Sequence, residues 1–254
     1  MTASSDESGS MTNRYVIKQN NPVSTPGEAG FSLLELAIAL VILSLMMGWL
    51  MTPLRVQHSL QKYQQTEQRL QIAQQALLGH AVIHHYLPCP DTDSPPDGWE
   101  NVLSNQSCVG DEGILPWMQL GLVATDAWGR YFRYRADSTF THHAQWFSVA
   151  AAESASNVQV LGDTGAATSI PSRPAAIVLS HGENGLGGIQ SVSGGQSHAM
   201  AAAVHSDEQE NADGDLTFVD KAQQQTTSAV FDDKLIMLSP KVLIQQMVQA
   251  QRLP

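Results

Sequence analysis

Glu35 stands five residues into Phe31–Met51, a run of 21 residues that is otherwise uncharged and mostly apolar. A carboxylate inside such a run is costly in a low-dielectric surrounding and marks a functional position by default. The chemistry open to it is electrostatic: pairing with a positive group, or, as the plainer alternative, snorkelling to an interface from near the helix start. Cys89 and Cys108 enclose a loop of about 20 residues, where a disulfide is worth about 3 kcal/mol in the chain-entropy picture. Downstream of an apolar span, two cysteines favour a disulfide in an oxidising compartment over a metal site, with free buried thiols as the alternative.

Asp91, Asp93 and Asp97 precede Gly98, and alternating carboxylates ahead of a glycine open calcium loops. The spacing misses the twelve-residue loop and lacks its bidentate Glu. Asp side chains in turns more commonly bond nearby backbone amides, so these three are weak calcium candidates. The same holds for Asp207 to Asp215, with Asp213-Gly214-Asp215. His80 and His84 share a helical face as zinc ligands can, and His181 or the His142-His143 pair could complete such a site. Histidines at a helix C-terminus also simply favour the dipole. Ser180-His181 has no identifiable carboxylate or oxyanion partner. With no G-x-x-x-x-G-K-S/T, G-x-S-x-G or H-E-x-x-H, no enzyme, metal or cofactor is expected. A net charge of −11 and the lack of a basic patch argue against nucleic acid.

These groups need elements to position them. At ~1.5 Å rise per residue, Phe31–Met51 is long enough to cross the ~30 Å hydrocarbon core as a helix. It is no ordinary secretory signal: the polar stretch before it is about 30 residues long, the apolar run exceeds a typical signal core, and no small-x-small site follows. Ala29 and Gly30 lie before the run instead. Met11 offers a second start. Past Pro53, Val56, Leu60, Tyr63, Leu70, Ala73, Leu77 and Ala81 recur three, four or seven apart, one apolar stripe on a helix. A single helix from about Phe31 to about Tyr86 is the economical reading, with Pro88 as its stop and a local melt or kink around Gly48, Thr52 and Pro53. Turn-rich sequence follows, then the short strands RYFRYRA, AQWFSVA, VQVLG, AAIVLS, LTFV and KLIML. A polar insertion spans about 182–213. Ser239-Pro240 opens a final helix with Val242, Leu243, Gln246 and Met247, Ser as N-cap and Pro at the first helical position. The expected fold class is α+β, a long N-terminal helix packed on a mainly antiparallel sheet.

Gly30-Phe31-Ser32-Leu33-Leu34-Glu35, followed by the apolar run, resembles the cleavage and methylation motif of type IV prepilins and type II secretion pseudopilins. The resemblance implies that prepilin peptidase cuts between Gly30 and Phe31 and methylates Phe31, and that Glu35 pairs with a neighbouring subunit's N-terminal amine. It implies a leader at 1–30, a transmembrane and filament-core helix at 31–53, an amphipathic half at 54–87 and a periplasmic head at 88–254. The partners implied are the peptidase, other pilins or pseudopilins of the filament, and the inner membrane, with no nucleic acid; the location is the inner membrane of a Gram-negative-type bacterium and then the filament. The leader is longer, and Pro53 about one position later, than the commoner pattern. The series LPCP, LPW, LGL and D-x-W-G also looks like a class of minor-pilin-like proteins. The 224 residues beyond Gly30 are large for a major pilin, which points to a minor pilin or pseudopilin. The alternative is a membrane-anchored periplasmic ligand-binding or enzymatic domain that uses a pilin-type leader.

Overall fold

The structure, a computed structural model, describes residues 30–145, 148, 157–162, 173–225 and 230–253, and only the backbone at 48–55 and 225. Residues 1–29, all but the last of the expected leader at 1–30, and most of the AQWFSVA run lie outside the described residues. In chain order the elements are α1 (Leu33–His84), β1 (Glu112–Ile114), α2 (Trp117–Leu120), β2 (Arg133–Ala136), α3 (Ser138–Thr141), β3 (Gln159–Leu161), β4 (Ala176–Ser180) and β5 (Ile189–Val192). β6 (Gln196–Ala199), α4 (Ser206–Glu210), β7 (Thr217–Val219), β8 (Gln224–Gln225), β9 (Val230–Phe231), β10 (Lys234–Leu238) and α5 (Pro240–Gln249) complete them. The chain divides into two units, Met1–Met51 and Thr52–Pro254.

In the first unit the apolar side chains of α1, from Leu33 to Met47, are exposed. Among the described residues no helix is long and apolar enough to cross a membrane; described side chains cover 31–47 of the apolar run. The helical backbone is continuous through Gly48, Thr52 and Pro53, where the sequence favours a melt or kink.

In the second unit the spacing of Leu70, Ala73, Leu77 and Ala81 puts all four on one face of α1, and all four are buried. The stripe is shorter than its period suggests, because Val56 and Leu60 are 56% and 55% exposed. Burial begins near Thr66, whose hydroxyl accepts the Ala127 amide at 3.2 Å. Arg69 donates to the Thr125 carbonyl at 2.9 Å and Gln74 to the Met237 carbonyl at 2.7 Å. These bonds fix the helix along the head. It ends as His85 takes a left-handed φ of 70° ahead of Pro88, and the Pro88 carbonyl accepts the Tyr134 hydroxyl at 3.0 Å.

The main sheet has the order β1-β2-β4-β10, with every pair antiparallel. Its centre, β4, is buried at all five positions, so alternation sorts its residues between two cores rather than between core and water. Ala176 and Val178 join Tyr134, Ala136 and Leu238 beneath α1 and α5. Ile177 and Leu179 turn to the other face with Leu235 and meet Val158, Val160 and Phe218. The second core is built on β3 and β7, a parallel pair where the other described strand pairs are antiparallel. The insertion at 182–213 is ordered around the β5–β6 hairpin, turned at Gly194-Gly195, and the short helix α4. Helix α5 starts with Pro240 at its first turn and buries Leu243, Ile244 and Met247; Ser239 holds the N-cap place, but its side chain makes no capping bond. The arrangement is the α+β, pilin-like fold expected of the sequence.

Candidate functional site

Three places hold the side chains singled out by the sequence. At the start of α1, Ser32 occupies the N-cap and Glu35 the third helical position. The Ser32 hydroxyl accepts the Leu34 amide at 3.2 Å and the Glu35 carboxylate accepts the Ser32 amide at 3.4 Å. This reciprocal pair is a variant of the S-x-x-E capping box in which the serine bonds the second helical amide rather than the third, and it satisfies two backbone amides. The pattern is legible in the sequence, and reading Glu35 only as a charge misses it. Phe31 is 86% exposed and a Cβ at Gly30 would meet nothing within 4 Å.

The second place is the loop after Pro88. Cys89 and Cys108 are joined in a disulfide. The buried Cys89 amide donates to Glu100 at 2.8 Å, whose same carboxylate oxygen lies 3.1 Å from His143 Nε2. Asp91, Asp93 and Asp97 come close enough to share an ion, but their oxygens serve the turn. Asp91 accepts the Asp93 amide at 2.9 Å and the Gly98 amide at 2.6 Å, Asp97 accepts the Trp99 amide at 2.8 Å, and Asp93 accepts the Asn101 side-chain amide at 3.1 Å. Burial raises the Asp91 carboxyl above its ordinary range, against two amides that lower it. Asp213 and Asp215 likewise accept the Asp215 and Thr217 amides. These are the local turn bonds that compete with calcium in the sequence reading.

The histidines separate into two groups. His80 and His84 stack with ring centroids 4.3 Å apart, and Tyr86 lies against both and stacks on His143 at 3.9 Å. His80 Nδ1 faces the Tyr86 carbonyl at 3.1 Å, while burial pushes the imidazole down to about 4. His142 turns away and accepts the Ala144 amide. His181 lies elsewhere, 3.6 Å from Asp233. Ser180 donates to Asp126 at 2.7 Å, so Ser180 and His181 serve different carboxylates and form no relay.

The third place was missed by sequence reasoning. Asp126 accepts the amides of Trp128 and Arg130, both at 2.9 Å, which explains the D-x-W-G turn. Arg130 then clamps the carbonyls of Gly182 and Glu183 at 2.6 and 2.7 Å. Gly185, at φ 67°, leaves the room that its guanidinium occupies, since a Cβ there would lie 1.8 Å from Nε. Beside this clamp, Glu208 of α4 and Asp232-Asp233 of the β9–β10 link bring three carboxylates together, at 0%, 4% and 5% exposure. One oxygen of each is held by the protein. Asp232 accepts the Asn184 amide at 2.7 Å, Glu208 accepts the Asn184 side chain at 2.8 Å and the Asp232 amide at 3.2 Å, and Asp233 accepts the Asn211 side chain at 2.9 Å. Burial, with Asp233 and Glu208 close by, pushes the Asp232 carboxyl up to about 7, against the Asn184 bond. The sequence signals were the acidic stretch Asp207 to Asp215, which contains Glu208, and the adjacent acid pair in "FDDK"; nothing local joins the two.

A cavity of about 430 Å³ lies between the second and third places, lined by Asp91, Glu112, Tyr131, Arg133, His181 and Gly188 among others. Of its charged lining residues, Glu112 pairs with Arg133, and also with Arg135.

Comparison with known families matches residues 26–51 to the prokaryotic N-terminal methylation motif. No curated protein and no solved structure matches the chain.

Proposed function

On the premise that this pilin-like chain carries the signature of type IV prepilin and pseudopilin-like proteins, processed by prepilin peptidase, we propose that it is a minor pilin or pseudopilin. In this reading, cleavage after Gly30 removes residues 1–30 and leaves a methylated amine on Phe31. Residues 31–53 hold the subunit in the inner membrane and then in the filament core, 54–87 carry the amphipathic half of α1, and 88–254 form a periplasmic head.

The observation that carries the proposal is the motif match over residues 26–51. Two features of the chain support it. The apolar side chains of Phe31 to Met47 lie exposed along the helix, and lipid or the helices of neighbouring subunits would remove that surface from water. In the second unit, Val56 and Leu60 are also exposed. Each charge of a Glu35–amine pair is costly alone in low dielectric and is relieved by the other, which favours one register of docking.

The capping box supplies a sharper test than removal of the side chain alone. Gln at the third helical position keeps the reciprocal cap but carries no charge. Glu35→Ala and Glu35→Gln should both be cleaved, yet neither should co-purify with the filament if the charge sets the register. Incorporation of Glu35→Gln at the wild-type level would reduce Glu35 to a helix cap.

A further inference from the structure

Glu208, Asp232 and Asp233 present a charge problem that the filament reading leaves untouched. Three carboxylates sit together in the interior of the head, each at most 5% exposed. Buried carboxylates are ordinarily paired, protonated or bound to a metal. Lys221 pairs with Asp207, while Arg130 directs two guanidinium nitrogens to the neutral Gly182 and Glu183 carbonyls and leaves its buried Nε without a partner, so it makes no ion pair to the trio. Among the described residues the one ion pair to this trio is His181 with Asp233 at 3.6 Å, a charge only when the imidazole is protonated.

The hydrogen bonding adds a second, independent observation. Each carboxylate has one oxygen oriented by Asn184, Asn211 or the Asp232 amide. The other oxygen of each, Glu208 Oε2, Asp232 Oδ1 and Asp233 Oδ1, is buried without a hydrogen-bond partner. A buried acceptor left unpaired costs about 1–3 kcal/mol and more when charged. Three in one place, on side chains already aimed by second-layer amides, are what a metal's outer shell produces. A ligand oxygen from each carboxylate lies within 4.8 Å of the others, a span that oxygens around one calcium ion at ~2.4 Å can cover.

We propose that Glu208, Asp232 and Asp233 bind one hard divalent cation of the calcium class. The all-carboxylate set selects against soft metals. The ion would tie the insertion at 182–213, through Glu208 of α4, to the β9–β10 link beside the central sheet. Asn184, whose side chain also accepts the Leu186 amide at 2.8 Å, and Asn211, which holds Asp233 and the Val219 amide and carbonyl, position the two sides. His181 lines the cavity of about 430 Å³ and lies 3.6 Å from Asp233.

The test uses the full chain in detergent, stripped with chelator and titrated calorimetrically with calcium chloride and then magnesium chloride. The expected result is one calcium per chain, loss of saturable binding in Asp232→Asn/Asp233→Asn and in Glu208→Gln, and unchanged binding in Asp93→Asn/Asp97→Asn. Limited proteolysis of the wild type supplies a readout that no folding defect can confuse: calcium should protect residues 182–213 and chelator should expose them. No saturable binding by the wild type, binding that survives the Asp232/Asp233 change, loss of it in the Asp93/Asp97 control, or cleavage indifferent to calcium would each overturn the proposal.

Discussion

His80 should make the head acid-sensitive by a calculable amount. Its ring is buried against His84 and Tyr86, with His143 nearby, and its imidazole is held down at about 4 against the ordinary 6.5. The folded chain thus resists protonation that the unfolded chain accepts. The stabilisation is complete above pH 6.5, and is lost as pH falls toward 4, because the unfolded state then binds more protons. With these two values, going from pH 7 to pH 5 should cost about 2 kcal/mol from this residue alone. Other groups titrate in the same range, so the comparison is with His80→Gln, which retains a donor for the Tyr86 carbonyl and has no charge to gain. Urea unfolding of both chains in detergent at the two pH values reads the difference. The wild type should lose about 2 kcal/mol more than the variant over that interval. Equal losses, or a resonance for His80 titrating at or above 6.5, would refute the burial argument.

Three further outcomes follow from packing and covalent constraint. Cys89→Ala/Cys108→Ala removes the bridge across a separation of 19 residues and should lower unfolding free energy by about 3 kcal/mol, read by urea titration with and without reductant. Leu77→Ala, at a fully buried position under the sheet, should cost about 3 kcal/mol in the same assay, whereas Leu60→Ala should cost under about 1 kcal/mol. Gly182→Ala places a Cβ 2.2 Å from the Asp232 carbonyl at a φ of 57° and should destabilise by more than about 2 kcal/mol; a variant as stable as the wild type would show that the close approach relaxes.

The elements that were legible in the sequence are those whose pattern is long or strongly punctuated. The long helix, the strands in AAIVLS and KLIML, and the Ser239-Pro240 helix start all carry period or boundary residues. Period alone does not say where a partner surface begins, which is why Val56 and Leu60 belong to the stripe yet face outward. The parallel pairing of β3 with β7 joins residues more than fifty positions apart and leaves no local trace. The β5–β6 hairpin was obscured because "IQSVSGGQSHA" carries few apolar residues; only Gly194-Gly195 marks it. At the site level, the motif around Gly30 and Glu35 is contiguous and could be read directly. The trio of Glu208, Asp232 and Asp233 assembles from an insertion and a strand link, so its members are adjacent only after folding. Of the acidic groups close in sequence, Asp91 to Asp97 and, within Asp207 to Asp215, Asp213 and Asp215 hold their own turns, whereas Glu208 joins the trio.

The central claim, that this is a processed filament subunit, rests on the fate of the Gly30–Phe31 bond. The most direct measurement is the intact mass of the protein isolated from cells with and without prepilin peptidase. The account predicts a chain that begins at Phe31 and carries one added methyl group when the peptidase is present, and an uncut chain when it is absent. An uncut chain in both strains, or a cut at another bond, would contradict it.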